Sequence, residues 1–150
     1  MTTEKTGMTL YLCFDPDQQL CAERLCAWPA SNPDFASYNL RFDLAPDSTE
    51  AATIKLSLRK QIESCDVFVC IIAGGSFASP WLDWEIRAAR ETSPRKGLVG
   101  ILLKDFFEIP PAMQDCGAMF TPFLKDKVEA AIQWAAENHP DTEDYTLQDD

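Results

Sequence analysis

Residues 67–75 read VFVCIIAGG, and this stretch decides the fold class. The six residues from Val67 to Ile72 are all apolar, a pattern typical of a central parallel strand that is covered on both faces. Gly74 and Gly75 then end the strand. Because such a strand needs helices on both sides of its sheet, the stretch predicts an α/β domain.

Strand-like and helix-like segments alternate on either side of this central strand. Three further strands are predicted at residues 9–14, 38–42 and 97–103. After the first of them, helical periodicity appears at Leu20, Arg24 and Ala27. Before the central strand, Ile54, Leu58 and Ile62 recur every four residues, which predicts a helix with one apolar stripe that lies on the sheet.

The clearest helix begins after the glycine pair. Ser79 is a residue type that caps helices, and Pro80 suits the first helical position, where its missing N–H is not needed. Asp83 then lies near the positive end of the helix dipole. We predict a helix from Pro80 to about Glu91.

The C-terminal part of the chain has a weaker pattern. A fifth strand is predicted near residues 118–120, and an amphipathic helix over about residues 122–138. Right-handed crossovers then give a three-layer, flavodoxin-like fold with a four- to five-stranded parallel sheet in the order 2-1-3-4, extended by the fifth strand. We expect an N-terminal tail at residues 1–8, one domain at residues 9–138 and an acidic C-terminal tail at residues 139–150.

The charge of the chain limits its partners. The 24 acidic and 13 basic residues give a net charge of −11, which disfavours binding to nucleic acid or to an anionic membrane. No apolar run approaches the roughly 20 residues needed to span a bilayer, so we expect a cytoplasmic protein. The six cysteines include no C-x-x-C pair, so we interpret them as reduced structural thiols, and no metal site is predicted.

Two residues of the predicted 80–91 helix could carry chemistry. Trp81 and Glu85 are four positions apart, so they share one face of the helix that leaves the central strand. An aromatic ring beside a carboxylate could hold and polarise a ribose. From the spacing alone, a tryptophan in the core beside a solvated glutamate is the simpler interpretation.

Beyond this pair, the sequence resembles the TIR-like domains of bacterial antiphage systems, in particular the ThsB component of Thoeris defence. The resemblance covers about residues 9–104. Its most specific parts are SCDVFVCIIAGG at 64–75, SPWLDWEI at 79–86 and GLVGI at 97–101. The match includes a tryptophan followed after three residues by a glutamate, which makes Glu85 the counterpart of the catalytic glutamate of those domains.

The resemblance implies NAD⁺ nucleosidase or cyclase chemistry, with NAD⁺ as a consumed substrate and not as a cofactor. The ADP-ribosyl product would be hydrolysed, cyclised or transferred, and a separate ThsA-like effector would sense it. Self-association of TIR domains is also implied. The absence of a G-x-G-x-x-G motif agrees with a substrate role for NAD⁺.

Other candidate substrate-binding residues lie at the ends of predicted strands or in loops. Phe14 and Asp15 follow the first strand and could stack on the nucleotide or bond to it, although Asp15 before Pro16 could equally shape the turn. Ser76 could donate to a phosphate or ribose, or be an ordinary loop serine. Asp47 lies in the counterpart of the BB loop, which in TIR domains gates the site or mediates self-association.

Three other functions compete with this hypothesis. A non-catalytic TIR interaction module would use the same fold without chemistry. A phosphoreceiver would use Asp15 and Asp17, but the central strand ends in Ala-Gly-Gly, where a phosphorylatable aspartate is needed. A cysteine hydrolase would need a histidine partner, and the sole histidine, His139, follows the last helix.

Overall fold

The computed structural model describes residues 9–14, 18, 20–21, 24, 34–37, 48–74, 79–92, 96–104, 108–114, 116–137 and 145–146. Along the described chain the strands and helices are β1 (Thr9–Cys13), β2 (Asp34–Ser37), α1 (Ala52–Ser64), β3 (Val67–Ile72), α2 (Pro80–Glu91), β4 (Gly97–Leu102), β5 (Met119–Pro122), α3 (Lys125–Glu137) and β6 (Tyr145–Thr146). Short 3₁₀ turns at Thr49–Ala51 and Pro111–Met113 precede α1 and β5. Most of the predicted helix near Leu20 lies outside the described residues.

The strands form one parallel sheet in the order β2-β1-β3-β4-β5-β6. This confirms the α/β class and the predicted order 2-1-3-4 with a fifth strand. All six residues of β3 are fully buried, as its apolar sequence predicts for a strand covered on both faces.

Three boundaries differ from the predictions. The strand beside β1 is Asp34–Ser37, and the predicted segment 38–42 lies outside the described residues. The observed strand β2 starts directly after Pro33, because it pairs with β1 and Asp34 is aligned with Thr9. The fifth strand extends to Pro122, which is aligned with Leu102, so α3 begins at Lys125 and not near residue 122.

The predicted domain boundary at residue 138 is also too early. β6 lies within the segment predicted to be an acidic tail, and it pairs with β5 through the alignments Met119 with Tyr145 and Phe120 with Thr146. A two-residue strand is too short to show hydrophobic periodicity in the sequence. The acidic residues of this segment therefore led to the prediction of a tail. The domain therefore includes at least Tyr145 and Thr146.

Alternate residues of each strand pack on opposite faces of the sheet, giving two apolar clusters. The front cluster lies under α1 and α2 and includes Tyr11, Leu58, Ile62, Phe68, Trp81, Leu82, Ile86, Leu98 and Phe120. The back cluster lies under α3 and includes Leu10, Leu12, Phe14, Val69, Ile71, Val99, Ile101, Val128 and Ile132. Across the described ranges, no helix has the length and apolar character needed to cross a membrane.

Two glycines of β4 permit close packing on these faces. A Cβ atom at Gly97 would collide with the carbonyl oxygen of Ala135, so α3 approaches the back of the sheet closely at that point. A Cβ atom at Gly100 would lie 2.6 Å from the ring of Phe120. At Gly97 the added Cβ would meet the backbone of α3, which cannot rotate away. At Gly100 it would meet the ring of a side chain.

We therefore expect Gly97→Ala to lower the free energy of unfolding by about 1–3 kcal/mol, the usual cost of overpacking. Gly100→Ala should cost less, because the Phe120 ring can shift. Urea denaturation of both variants measures the difference. Equal stability of Gly97→Ala and the unchanged protein would contradict this packing of α3.

The cysteine that directly follows α1 has a buried thiol. Cys65 is 1% exposed, and its Sγ donates a hydrogen bond to the carbonyl oxygen of Ile62 at 3.1 Å. Burial, only partly opposed by the charge of Lys96, raises the pKa of Cys65 from its ordinary value of 9.0 to about 11. The five described cysteines are all free thiols, and Cys65 is protonated at neutral pH.

This shift predicts a pH dependence of stability. Because the folded state holds the Cys65 proton more tightly than the unfolded chain, the stabilisation is complete below pH 9 and is lost as the pH rises to about 11. The free energy of unfolding should therefore fall more steeply above pH 9 in the unchanged protein than in Cys65→Ala. Denaturation curves collected from pH 8 to pH 11 test this, and parallel slopes would show that the thiol is not protected in this way.

Candidate active site

The helix α2 begins one short connection after the end of β3. The Ser79 Oγ accepts a hydrogen bond from the backbone N–H of Leu82 at 3.3 Å, and Pro80 occupies the first turn, as predicted. On the exposed side, Arg87 pairs with Asp83 at 2.9 Å. The side facing the sheet is buried and consists of Trp81, Leu82, Glu85, Ile86, Ala88 and Ala89.

Glu85 lies on this buried side and has no solvent exposure. Its Oε1 accepts a hydrogen bond of 2.8 Å from the hydroxyl group of Tyr11 in β1, 74 residues earlier in the chain. In the part of the chain that the structure describes, Glu85 is the one charged residue that is buried. The carboxyl group therefore faces the front of the sheet, not bulk water.

Trp81 shares the buried side of α2 with Glu85 and is 8% exposed. Its ring meets that of Trp84 edge-on, with centroids 5.9 Å apart and an interplanar angle of 81°. This is a favoured geometry for aromatic pairs. The tryptophan and the glutamate thus belong to one packed unit at the front of the sheet, as their spacing predicts.

Two cationic side chains of α1 lie over the ring of Trp84. The Lys55 Nζ is 5.7 Å and the Arg59 Cζ is 5.3 Å from the ring centroid of Trp84. Each such contact is worth about 0.5–1 kcal/mol at a partly exposed site. They join α1 to α2 and bring positive charge to the outer side of the helix that carries Glu85.

Phe14 is placed differently from the sequence-based expectation. It follows β1 directly, but its side chain is 1% exposed and packs in the back cluster under α3. Glu85 lies at the front of the same sheet. The structure therefore does not bring Phe14 and Glu85 together, because successive residues of a strand point to opposite faces.

The other predicted binding residues, Asp15, Asp47 and Ser76, lie outside the described residues and remain predictions. Within the described ranges, no three His, Cys, Asp or Glu side chains come together as a metal site would require.

Sequence reasoning did not identify Tyr11, whose hydroxyl group contacts the candidate catalytic carboxylate. A signal was present, because Tyr11 interrupts an otherwise apolar strand with a polar group that must find a hydrogen-bond partner when it is buried. The identity of that partner was not readable, since contacts between residues so far apart leave no local pattern.

Comparison with known proteins supplies the family. No curated protein matches the chain. The family model described as the TIR-like domain of the Thoeris protein ThsB matches residues 11–105. This range runs from Tyr11 through the central strand and the whole of α2 to the residues after β4. It spans more than half of the chain and contains both partners of the buried hydrogen bond. The chain therefore belongs to the ThsB TIR-like family of Thoeris antiphage defence.

Proposed function

We propose that this protein cleaves the bond between nicotinamide and ribose in NAD⁺ and produces an ADP-ribose-derived signalling nucleotide. The observation that carries the proposal is the buried carboxyl group of Glu85, on the helix that follows the central strand. Burying an ionisable group costs several kcal/mol more than burying an apolar side chain of similar size. A glutamate at this position is therefore better explained by chemistry than by packing.

The reaction requires little of the protein other than a negative charge held close to the ribose. When the glycosidic bond breaks, its electron pair goes to the ring nitrogen of nicotinamide, which leaves as a neutral molecule. The ribose C1′ becomes oxocarbenium-like and then bonds to water, or to a nucleophile of the same or another molecule, which gives up its proton. The Glu85 carboxylate would stabilise the positive charge as it develops, an effect worth a few kcal/mol when the group is held in place beforehand.

The burial of Glu85 also bears on how the activity is controlled. A carboxylate with no exposure cannot contact a ribose until neighbouring side chains separate. The proposed reaction therefore takes place in a more open state than the one described, and a phage-derived trigger would favour that state. A ligand achieves this only by binding the open state more tightly than the closed one.

The remaining parts of the proposal concern partners. NAD⁺ acts as a substrate, and the product is read by a separate effector of the ThsA type. The reaction would occur in the cytoplasm, where NAD⁺ is available. Hydrolysis, cyclisation and transfer share the same first step, so the role of Glu85 is common to all three.

A second candidate function is a non-catalytic TIR interaction module. It is favoured by Leu56, which is 63% exposed on α1 although the buried stripe of that helix is formed by Leu58 and Ile62. A large exposed apolar side chain between Lys55 and Arg59 suits a protein contact. In that case Glu85 would serve to tie α2 to the sheet.

The first test is Glu85→Gln, which keeps a carbonyl oxygen for the Tyr11 hydroxyl group and removes the charge. We expect nicotinamide release from NAD⁺ to fall by about 100-fold or more, the usual effect of losing one preorganised electrostatic contact. The melting temperature should change by a few degrees at most. Assays need the purified protein with and without extract from phage-infected cells, and an unchanged rate would overturn the catalytic role.

The second test separates the two functions. Leu56→Glu should leave triggered nicotinamide release within about twofold, because the residue lies on the outer side of α1. Thr53→Glu, which adds the same charge at another exposed position of α1, is the matched control. Loss of phage resistance in Leu56→Glu, with resistance retained in Glu85→Gln and Thr53→Glu, would favour the interaction module.

A further inference from the structure

Tyr11 lies at the middle of β1, between two neighbouring strands. Its backbone is aligned with Ala36 of β2 and with Phe68 of the central strand. The side chain points to the front of the sheet and has no solvent exposure. It is therefore attached to a strand that is paired on both sides.

The ring of Tyr11 is held by its neighbour on the central strand. The Tyr11 and Phe68 rings are stacked, with centroids 5.3 Å apart and an interplanar angle of 8°. Stacked aromatic pairs on adjacent strands restrict each other's rotation. The stacking thus restricts where the phenol oxygen can lie.

That oxygen meets the carboxyl group that the proposed function needs. The Tyr11 hydroxyl group donates to the Glu85 Oε1 at 2.8 Å, and the bond joins the sheet to α2. A glutamate side chain has three rotatable bonds, so without a partner its carboxyl group would occupy several positions. A hydrogen bond from a fixed donor selects one of them.

We infer that Tyr11 is a positioning residue for the proposed NAD⁺ reaction, because its phenol, held by Phe68, fixes the Glu85 carboxylate before neighbouring side chains separate to admit the ribose. The inference rests on the proposed function. Electrostatic catalysis depends on groups that are placed before the reaction and do not reorganise during it. The hydroxyl group should therefore contribute to turnover and little to substrate binding.

The experiment compares two variants that each lose one buried hydroxyl group. Tyr11→Phe keeps the stacked ring and removes the donor to Glu85. Thr121→Val removes a fully buried hydroxyl group from β5, where it donates to the carbonyl oxygen of Pro122 at 3.0 Å. Both are measured for triggered nicotinamide release, with kcat and KM for NAD⁺ determined separately.

We expect Tyr11→Phe to lower kcat by about 10- to 100-fold with KM within about twofold, the pattern of an interaction that acts in the transition state. Thr121→Val should leave both constants unchanged. A third variant, Phe68→Leu, keeps the Tyr11 hydroxyl group but loosens its ring, so kcat should fall by a smaller factor. This variant also keeps the test valid if Tyr11→Phe fails to fold.

The possible failures are distinguishable. Wild-type kcat in Tyr11→Phe, or an equal loss of kcat in Thr121→Val, would overturn the positioning role while leaving the proposed function in place. A rise in KM with kcat unchanged would also overturn it, since Tyr11 would then act in binding. If the unchanged protein and Glu85→Gln release nicotinamide at the same background rate under every trigger, the proposed function itself fails, and the positioning role fails with it.

Discussion

The fold depends on the complete burial of the central strand. Every side chain of β3 is excluded from water, and they alternate between the two faces of the sheet. One apolar layer must therefore cover each face, which α1 and α2 do at the front and α3 at the back. The front helix α2 carries Glu85 over the sheet, where the Tyr11 hydroxyl group reaches it.

Local patterns in the sequence were sufficient for the elements whose signals are strong. The apolar runs of β3 and β4 and the Ser79-Pro80 start of α2 were predicted correctly, because burial and helix capping act over a few neighbouring residues. The edges of the sheet were predicted less well. β2 and β6 are short, and their positions are determined by hydrogen bonds to β1 and β5, which no local pattern records.

At the candidate site too, contacts within one helix could be predicted from the sequence, whereas contacts between distant parts of the chain could not. Trp81 and Glu85 share a face because they are four residues apart on one helix, so their proximity could be predicted. The placement of Phe14 at the back of the sheet depends on which residue of β1 faces α2, and that follows from the pairing of whole strands. The Tyr11 contact depends on a strand and a helix 74 residues apart in the chain, so tertiary structure was needed to find it.

The perpendicular pair of Trp81 and Trp84 gives the domain an intrinsic optical label. Indole rings whose centroids are 5.9 Å apart couple their electronic transitions, and their near-ultraviolet circular dichroism depends on the angle between them. Trp81 packs on the same side of α2 as Glu85, and Trp84 lies under the cations of α1. A movement that turns either ring relative to the other would change this signal, so a rearrangement on the side of α2 that carries Glu85 can be followed in solution without an attached dye.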